Sequence, residues 1–184
     1  MGGGEAPLLE VYPAGYPAAV TAGRAISLNL FVPADADNGR KIEPLHRHRA
    51  RVVTASGKKP FVQTYPDKRS TEWEEYVAGT ARAQLLAVDV DGEDFLLPLK
   101  ECRVALTLRF NLPKPKSYPS RVVWHTKKPD IDNYAKGVLD GLVKARILED
   151  DGLVTDLNIQ KRYVEVGHPQ GVEIDLLALP AEVV

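Results

Sequence analysis

The sequence predicts an α/β fold of the α+β type, a small mixed β-sheet packed with two main helices. Three observations carry that prediction. Short segments alternating apolar and polar residues occur near the start, in the middle and at the end of the chain. Two longer segments, near residues 70–86 and 133–148, space their apolar residues as a helix does. The resulting order is β, loop, α, β, α, β, β, without an internal repeat, which suits one mixed sheet covered by helices.

Each element has a local reason. Residues 1–23 are rich in Gly, Pro and Ala and read as an irregular lead-in, leaving residues 24–184 as one domain. Ile26–Val32 alternates before Pro33 and reads as the first strand. Residues 34–68 form a basic loop or hairpin, with short strands at Arg51–Thr54 and Phe61–Tyr65. Ser70 or Thr71 can cap a helix reaching Leu86, with Glu72, Glu74 and Glu75 in the first turns, where the helix dipole favours anions. Asp89–Asp94 reads as a turn, since Gly92 falls too early for a calcium loop. Arg103–Phe110 is the next strand, and Val164–Val166 and Val172–Leu179 close the chain. In the second helix Tyr134, Ala135, Val138, Leu139, Leu142, Val143, Ile147 and Leu148 define one broad apolar face.

Composition narrows the function. The 184 residues are 44% hydrophobic and 27% charged, ordinary values for a globular protein. No apolar run is long enough to cross a bilayer, and the first residues lack the pattern of a secretory signal. A cytoplasmic protein is expected. Cys102 is the single cysteine, which excludes an intrachain disulfide and a thiolate zinc site. The four histidines have no metal-protease spacing.

The formal charge of −1 hides a strong polarisation. Between residues 40 and 69 lie Arg40, Lys41, Arg47, Arg49, Arg51, Lys58, Lys59, Lys68 and Arg69, against Glu43 and Asp67 alone. Residues 111–129 carry Lys114, Lys116, Arg121, Lys127 and Lys128 and no acid. Such segments fit a polyanionic partner as well as plain solvated loops.

The acidic residues decide between these. Asp130 and Asp132 flank Ile131 just before the second helix, and in an extended segment both carboxylates would face one side. Capping the helix needs one such residue, not an Asp-x-Asp-Asn cluster. Asp132, Lys136, Asp140 and Lys144 fall at i, i+4 steps, the pattern of a surface ion-pair ladder worth a few tenths of a kcal/mol per pair. Asp140 and Lys144 are assigned to that ladder, whereas Lys136 lies close enough to the acidic entrance to meet a phosphate. Glu149-Asp150-Asp151-Gly152 follows the helix, where the dipole disfavours acids. A loop returning toward the sheet would bring Asp151, with Asp150 beside it, to Asp130 and Asp132. Converging carboxylates need a cation, and magnesium, or manganese in its place, accepts an all-oxygen shell.

The run Lys128-Pro129-Asp130-Ile131-Asp132-Asn133-x-x-Lys136, then Val138-Leu139-Asp140-Gly141-Leu142, then Glu149-Asp150-Asp151-x-x-Val154 resembles the RusA family of Holliday junction resolvases. The likeness is specific over residues 127–166 and weaker over the flanking strands and the first helix. It implies a small homodimer that binds four-way DNA and makes paired symmetric nicks with magnesium during recombination and repair. By position, Asp130, Asp132 and Asp151 match the family's essential carboxylates, Lys136 its catalytic lysine, and Asp150 an adjacent acid. Arg47, Arg49, Arg51, Lys58, Lys59, Lys68, Arg69, Lys127 and Lys128 are the expected DNA contacts. The lead-in and the basic segment are longer than in compact members. Two other classes were weighed. A nucleotide-sugar transferase using Asp-x-Asp needs a Gly-rich nucleotide-binding region that the first 100 residues lack. A junction-binding protein without cleavage would not need acids and a lysine at every catalytic position.

Overall fold

Long strands build the main sheet, with burial alternating along the first and last of them and nearly continuous along Cys102–Pro113. The computed structural model describes residues 26–34, 41–46, 49–54, 59–87, 97–165 and 167–180. The elements are β1 (Ile26–Pro33), β2 (Arg49–Val53), β3 (Phe61–Tyr65), α1 (Lys68–Ala87), β4 (Cys102–Pro113), α2 (Ile131–Lys144), a 3-10 turn (Asp151–Leu153), β5 (Val154–Val164) and β6 (Gly171–Pro180). The lead-in and the Asp89–Asp94 turn lie outside the described residues.

Four strands form one sheet in the order β1-β6-β4-β5, antiparallel except for the parallel β4–β5 pair. A parallel pair needs a long crossover, and α2 supplies it. The mixed sheet with two helices agrees with the expected fold class. Val104, Leu106, Leu108, Phe110 and Leu112 of β4 are buried, and the Phe110 ring lies 5.3 Å from that of Tyr134 on α2. The other face of β4 is polar: Arg109 meets Asp175 at 2.5 Å, and Asn111 joins Glu173 and Arg162 at 2.7 Å each. On edge strand β1, the Gln84 amide of α1 accepts from the Phe31 N–H at 2.9 Å and donates to its carbonyl at 2.5 Å. A side chain thereby stands in for the missing strand partner.

β2 and β3 form a separate antiparallel hairpin, with Arg49 opposite Tyr65 and Val53 opposite Phe61. Its large apolar side chains Val52, Phe61, Val62 and Tyr65 are exposed.

Strand ends shift by one to three residues from the sequence reading, and three differences are larger or have a clear local cause. α1 starts at Lys68, because buried Asp67, not Ser70 or Thr71, caps it: Asp67 Oδ1 accepts from the Arg69 N–H at 3.0 Å. Ser70 instead accepts from the His46 N–H at 2.9 Å. α2 spans Ile131–Lys144 rather than Asn133–Leu148. It ends because Arg146 adopts φ 58°, so Ile147 N–H returns to the Leu142 carbonyl and Arg146 N–H to that of Val143. That pattern is the Schellman end, here with arginine where glycine is favoured. Ile147 and Leu148 are still buried, but beyond the helix. β5 is the third difference, an 11-residue strand where the sequence reading placed only Val164–Val166.

α1 and α2 pack closely. A Cβ on Gly141 would lie 2.6 Å from both Cβ and Cγ1 of Val77, so this crossing requires glycine. Lys144 reaches Glu74 of α1 at 2.6 Å, and Arg82 Nε donates to the Ala145 carbonyl at 2.9 Å. Cations thus sit at the negative end of α2.

Candidate nuclease site

The start of α2 fixes the first two acids. Asp130 is the N-cap, extended at φ −70° and ψ 152°, and its side chain makes no capping bond. Ile131 and Asp132 already belong to the first helical turn, so the extended Asp-x-Asp expected from the sequence is replaced by a cap followed by a helical residue. Both carboxylates are exposed, and Asp132 has no ion-pair partner among the described residues. Nothing in the cap consumes Asp130. The main chain of the first turn is anchored from outside, with Leu45 N–H donating to the Asn133 carbonyl at 2.7 Å.

The second acidic group forms further along the helix. Lys136 Nζ lies 2.5 Å from Asp151 Oδ2 and 2.9 Å from Asp140 Oδ1. Hydrogen bonds donated to Asp151 and then to Asp140 push the lysine pKa well above its ordinary value. Asp140 therefore shares the site lysine with Asp151, while Lys144 leaves the expected ladder for Glu74. Asp150 caps the 3-10 turn, its Oδ1 accepting from the Gly152 N–H at 2.7 Å. That turn explains the acids after the helix: they begin the next element. The structure unites Lys136, Asp140 and Asp151. Among the described residues, no three His, Cys, Asp or Glu side chains share a position that could hold a metal.

A second lysine, missed in the sequence, lies against the chain leading into Asp130. Lys161 of β5 donates to the carbonyls of Lys127 at 2.8 Å and Pro129 at 2.7 Å. Its ammonium lies 5.9 Å from the Tyr134 ring centroid. Burial lowers its pKa, and the nearby Asp130 charge partly opposes that. The segment before Asp130 also pairs with β5 through its backbone: Tyr163 N–H donates to Val123 at 2.7 Å, and His125 N–H to Lys161 at 3.1 Å. A lysine within an alternating strand carries no sequence mark of this contact.

The expected DNA contacts separate into distinct settings. Lys59, Lys127 and Lys128 are exposed. Lys68 pairs with Glu72 at 3.2 Å on the surface, and Arg51 donates to Gln63 at 2.9 Å. Arg49 and Arg69 both hold Asp67, at 2.8 and 3.3 Å. Burial works against the Asp67 carboxylate, but the Arg69 N–H and the two guanidinium groups outweigh it and hold its pKa below the ordinary value. Arg49 and Arg69 thus bind the hairpin base to α1. Arg47 and Lys58 lie outside the described residues.

Residues 41–176 match the profile of the family described as endodeoxyribonuclease RusA. That match covers most of the chain and takes in both acidic groups, Lys136 and Lys161. The chain belongs to the RusA endodeoxyribonuclease family. The sequence is also 29% identical over 133 residues to the uncharacterized protein YqaN of Bacillus subtilis strain 168, spanning 67% of this chain and 84% of that protein. As a RusA-family chain it has a nuclease framework. No helix among its described residues is long and apolar enough to cross a membrane.

Proposed function

We propose that this RusA-family chain is a magnesium-dependent, structure-selective endonuclease that resolves four-way DNA junctions by paired symmetric nicks. It acts as a homodimer in recombination and repair. The observation that carries the reading is the exposed Asp130–Asp132 pair at the start of α2, with Lys136 one turn away.

The donor set fits magnesium. That ion is commonly held by one or two carboxylates together with water and substrate phosphate. Asp130 and Asp132 offer exposed oxygens that no capping bond removes. They would hold the ion; Asp151, the third carboxylate expected from the sequence, is paired with Lys136 here, and Asp150 caps the 3-10 turn beside it. Magnesium supplies Lewis acidity toward the phosphodiester and activates water.

The chain's own groups do the rest. Lys136 stays protonated through its two acidic partners and supports the negative charge that develops on phosphate. Lys127 and Lys128, just before the acids, hold the adjacent backbone phosphates. Lys59 and the hairpin residues contact a junction arm, so affinity falls steeply with salt. Two-fold pairing of chains suits the two symmetric cuts.

The test is a mobile four-way junction against linear duplex of the same sequence, with and without magnesium. Paired nicks in the junction alone, dependent on the cation, support the proposal. Binding without nicking across a range of salt points instead to a non-catalytic branched-DNA or single-strand-binding protein of the same fold.

A further inference from the structure

We infer that Lys161 is the positioning residue that sets Asp130 for cation binding, an inference resting on the nuclease reading above. Asp130 receives no help from its own helix: it makes no capping bond, and the chain just before it is a turn outside any strand. Such a carboxylate needs an external brace to keep one orientation.

Lys161 supplies it from a rigid element. On edge strand β5 it is paired in register with Phe110 of the interior strand β4, so its Cα is fixed by the β4–β5 ladder. Its side chain projects to the face where Phe110 meets Tyr134. Two ammonium hydrogens are committed to the carbonyls of Lys127 and Pro129, which bracket the turn leading into Asp130. The same residue's own carbonyl accepts from the His125 N–H, so one position of β5 holds the preceding segment through both main chain and side chain. Lys136 of α2, by contrast, pairs directly with the carboxylate of Asp151.

An ordinary surface lysine would contribute only charge toward DNA. A brace predicts something else: the metal-free geometry of Asp130, and hence cation affinity, depends on Lys161. Outer partners of metal ligands typically contribute roughly 10- to 100-fold in affinity or activity.

The experiment compares wild type, Lys161→Met and Lys161→Arg as full-length proteins, with far-UV circular dichroism confirming the fold. Mn2+ binding is measured by calorimetry without DNA, and amide exchange of residues 127–131 without any cation. Junction affinity is measured in EDTA, and single-turnover nicking at saturating junction. Lys161→Met is expected to weaken Mn2+ binding and slow nicking by roughly 10- to 100-fold. Its amides at 127–131 exchange faster, and its junction affinity in EDTA stays close to wild type. Lys161→Arg, which keeps the charge and donors, recovers most of the loss. Unchanged Mn2+ affinity and exchange in Lys161→Met overturn the inference, as does a loss of junction affinity that accounts for the whole loss of nicking. If wild type binds junctions and never nicks them, the nuclease reading falls on that result. The Mn2+ and exchange measurements need no cleavage and still decide the role of Lys161.

Discussion

Gly141→Ala tests how closely the helix carrying the site is seated. The added Cβ would stand 2.6 Å from Val77 Cβ and Cγ1 and 3.2 Å from the Glu74 carbonyl oxygen. Carbon atoms prefer about 3.5–4.0 Å, so the helices must separate by about 1 Å or Val77 must move. Overpacking of this kind costs about 1–3 kcal/mol. Alanine's better helix propensity returns about 1 kcal/mol, leaving a net loss of about 0–2 kcal/mol. Gly79 on α1 is the control, since a Cβ there meets nothing within 4 Å. Gly79→Ala should raise stability by about 0.8–1 kcal/mol. Urea unfolding of both variants beside wild type reads the difference, and an unchanged slope confirms that the unfolded state is not responsible. Because α2 carries Asp132 and Lys136 and follows Asp130, Gly141→Ala should also slow nicking, whereas Gly79→Ala should not. If both variants are equally stabilised, the close α1–α2 crossing is wrong.

Three further outcomes follow from individual residues. Arg146→Gly relieves a left-handed backbone, φ 58°, and should stabilise the protein by about 1 kcal/mol in the same urea assay. Asp67 has a lowered folded pKa, so its contribution to stability is present above 3.8 and is lost as the pH falls through the lower folded value. Asp67→Asn should therefore lower Tm at neutral pH, with the gap to wild type closing in acid. Lys136 has a raised folded pKa, so its ion pairs are intact below 10.5 and are lost only as pH rises through the higher folded value. Lys136→Met should slow single-turnover nicking about 100-fold or more, while changing stability by less than about 1 kcal/mol, because the group is half-exposed.

Much of the fold was legible because packing and periodicity agreed. The apolar spacing of Tyr134, Val138 and Leu142 found α2, and the alternation of Arg103–Phe110 found β4. The misplaced boundaries share a physical cause. Ile147 and Leu148 continue the helical spacing although Arg146 has turned the backbone, because a buried residue keeps its apolar side chain either way. β5 escaped notice because Thr155, Leu157 and Asn158 are exposed, which weakens the contrast along the strand. The Lys136–Asp140 pair is a rung of the ladder read from the spacing, whereas the Lys136–Asp151 pair carries no sequence mark. Surface-ladder spacing and a role at a site look the same along one helix. Arg49, Arg69 and Lys161 show the complementary limit: a basic residue's sequence context does not say whether its charge meets solvent, a buried acid or a backbone carbonyl.

The central claim is that the acids at the start of α2 perform cleavage of a branched DNA rather than merely shaping the fold. Asp132→Asn tests it most directly, since Asp132 is exposed and has no ion-pair partner among the described residues. With magnesium and a mobile four-way junction, wild type should make paired nicks. The variant should bind the junction at least as well, through reduced charge repulsion, and cleave it orders of magnitude more slowly. Equal cleavage by the two proteins would contradict the account.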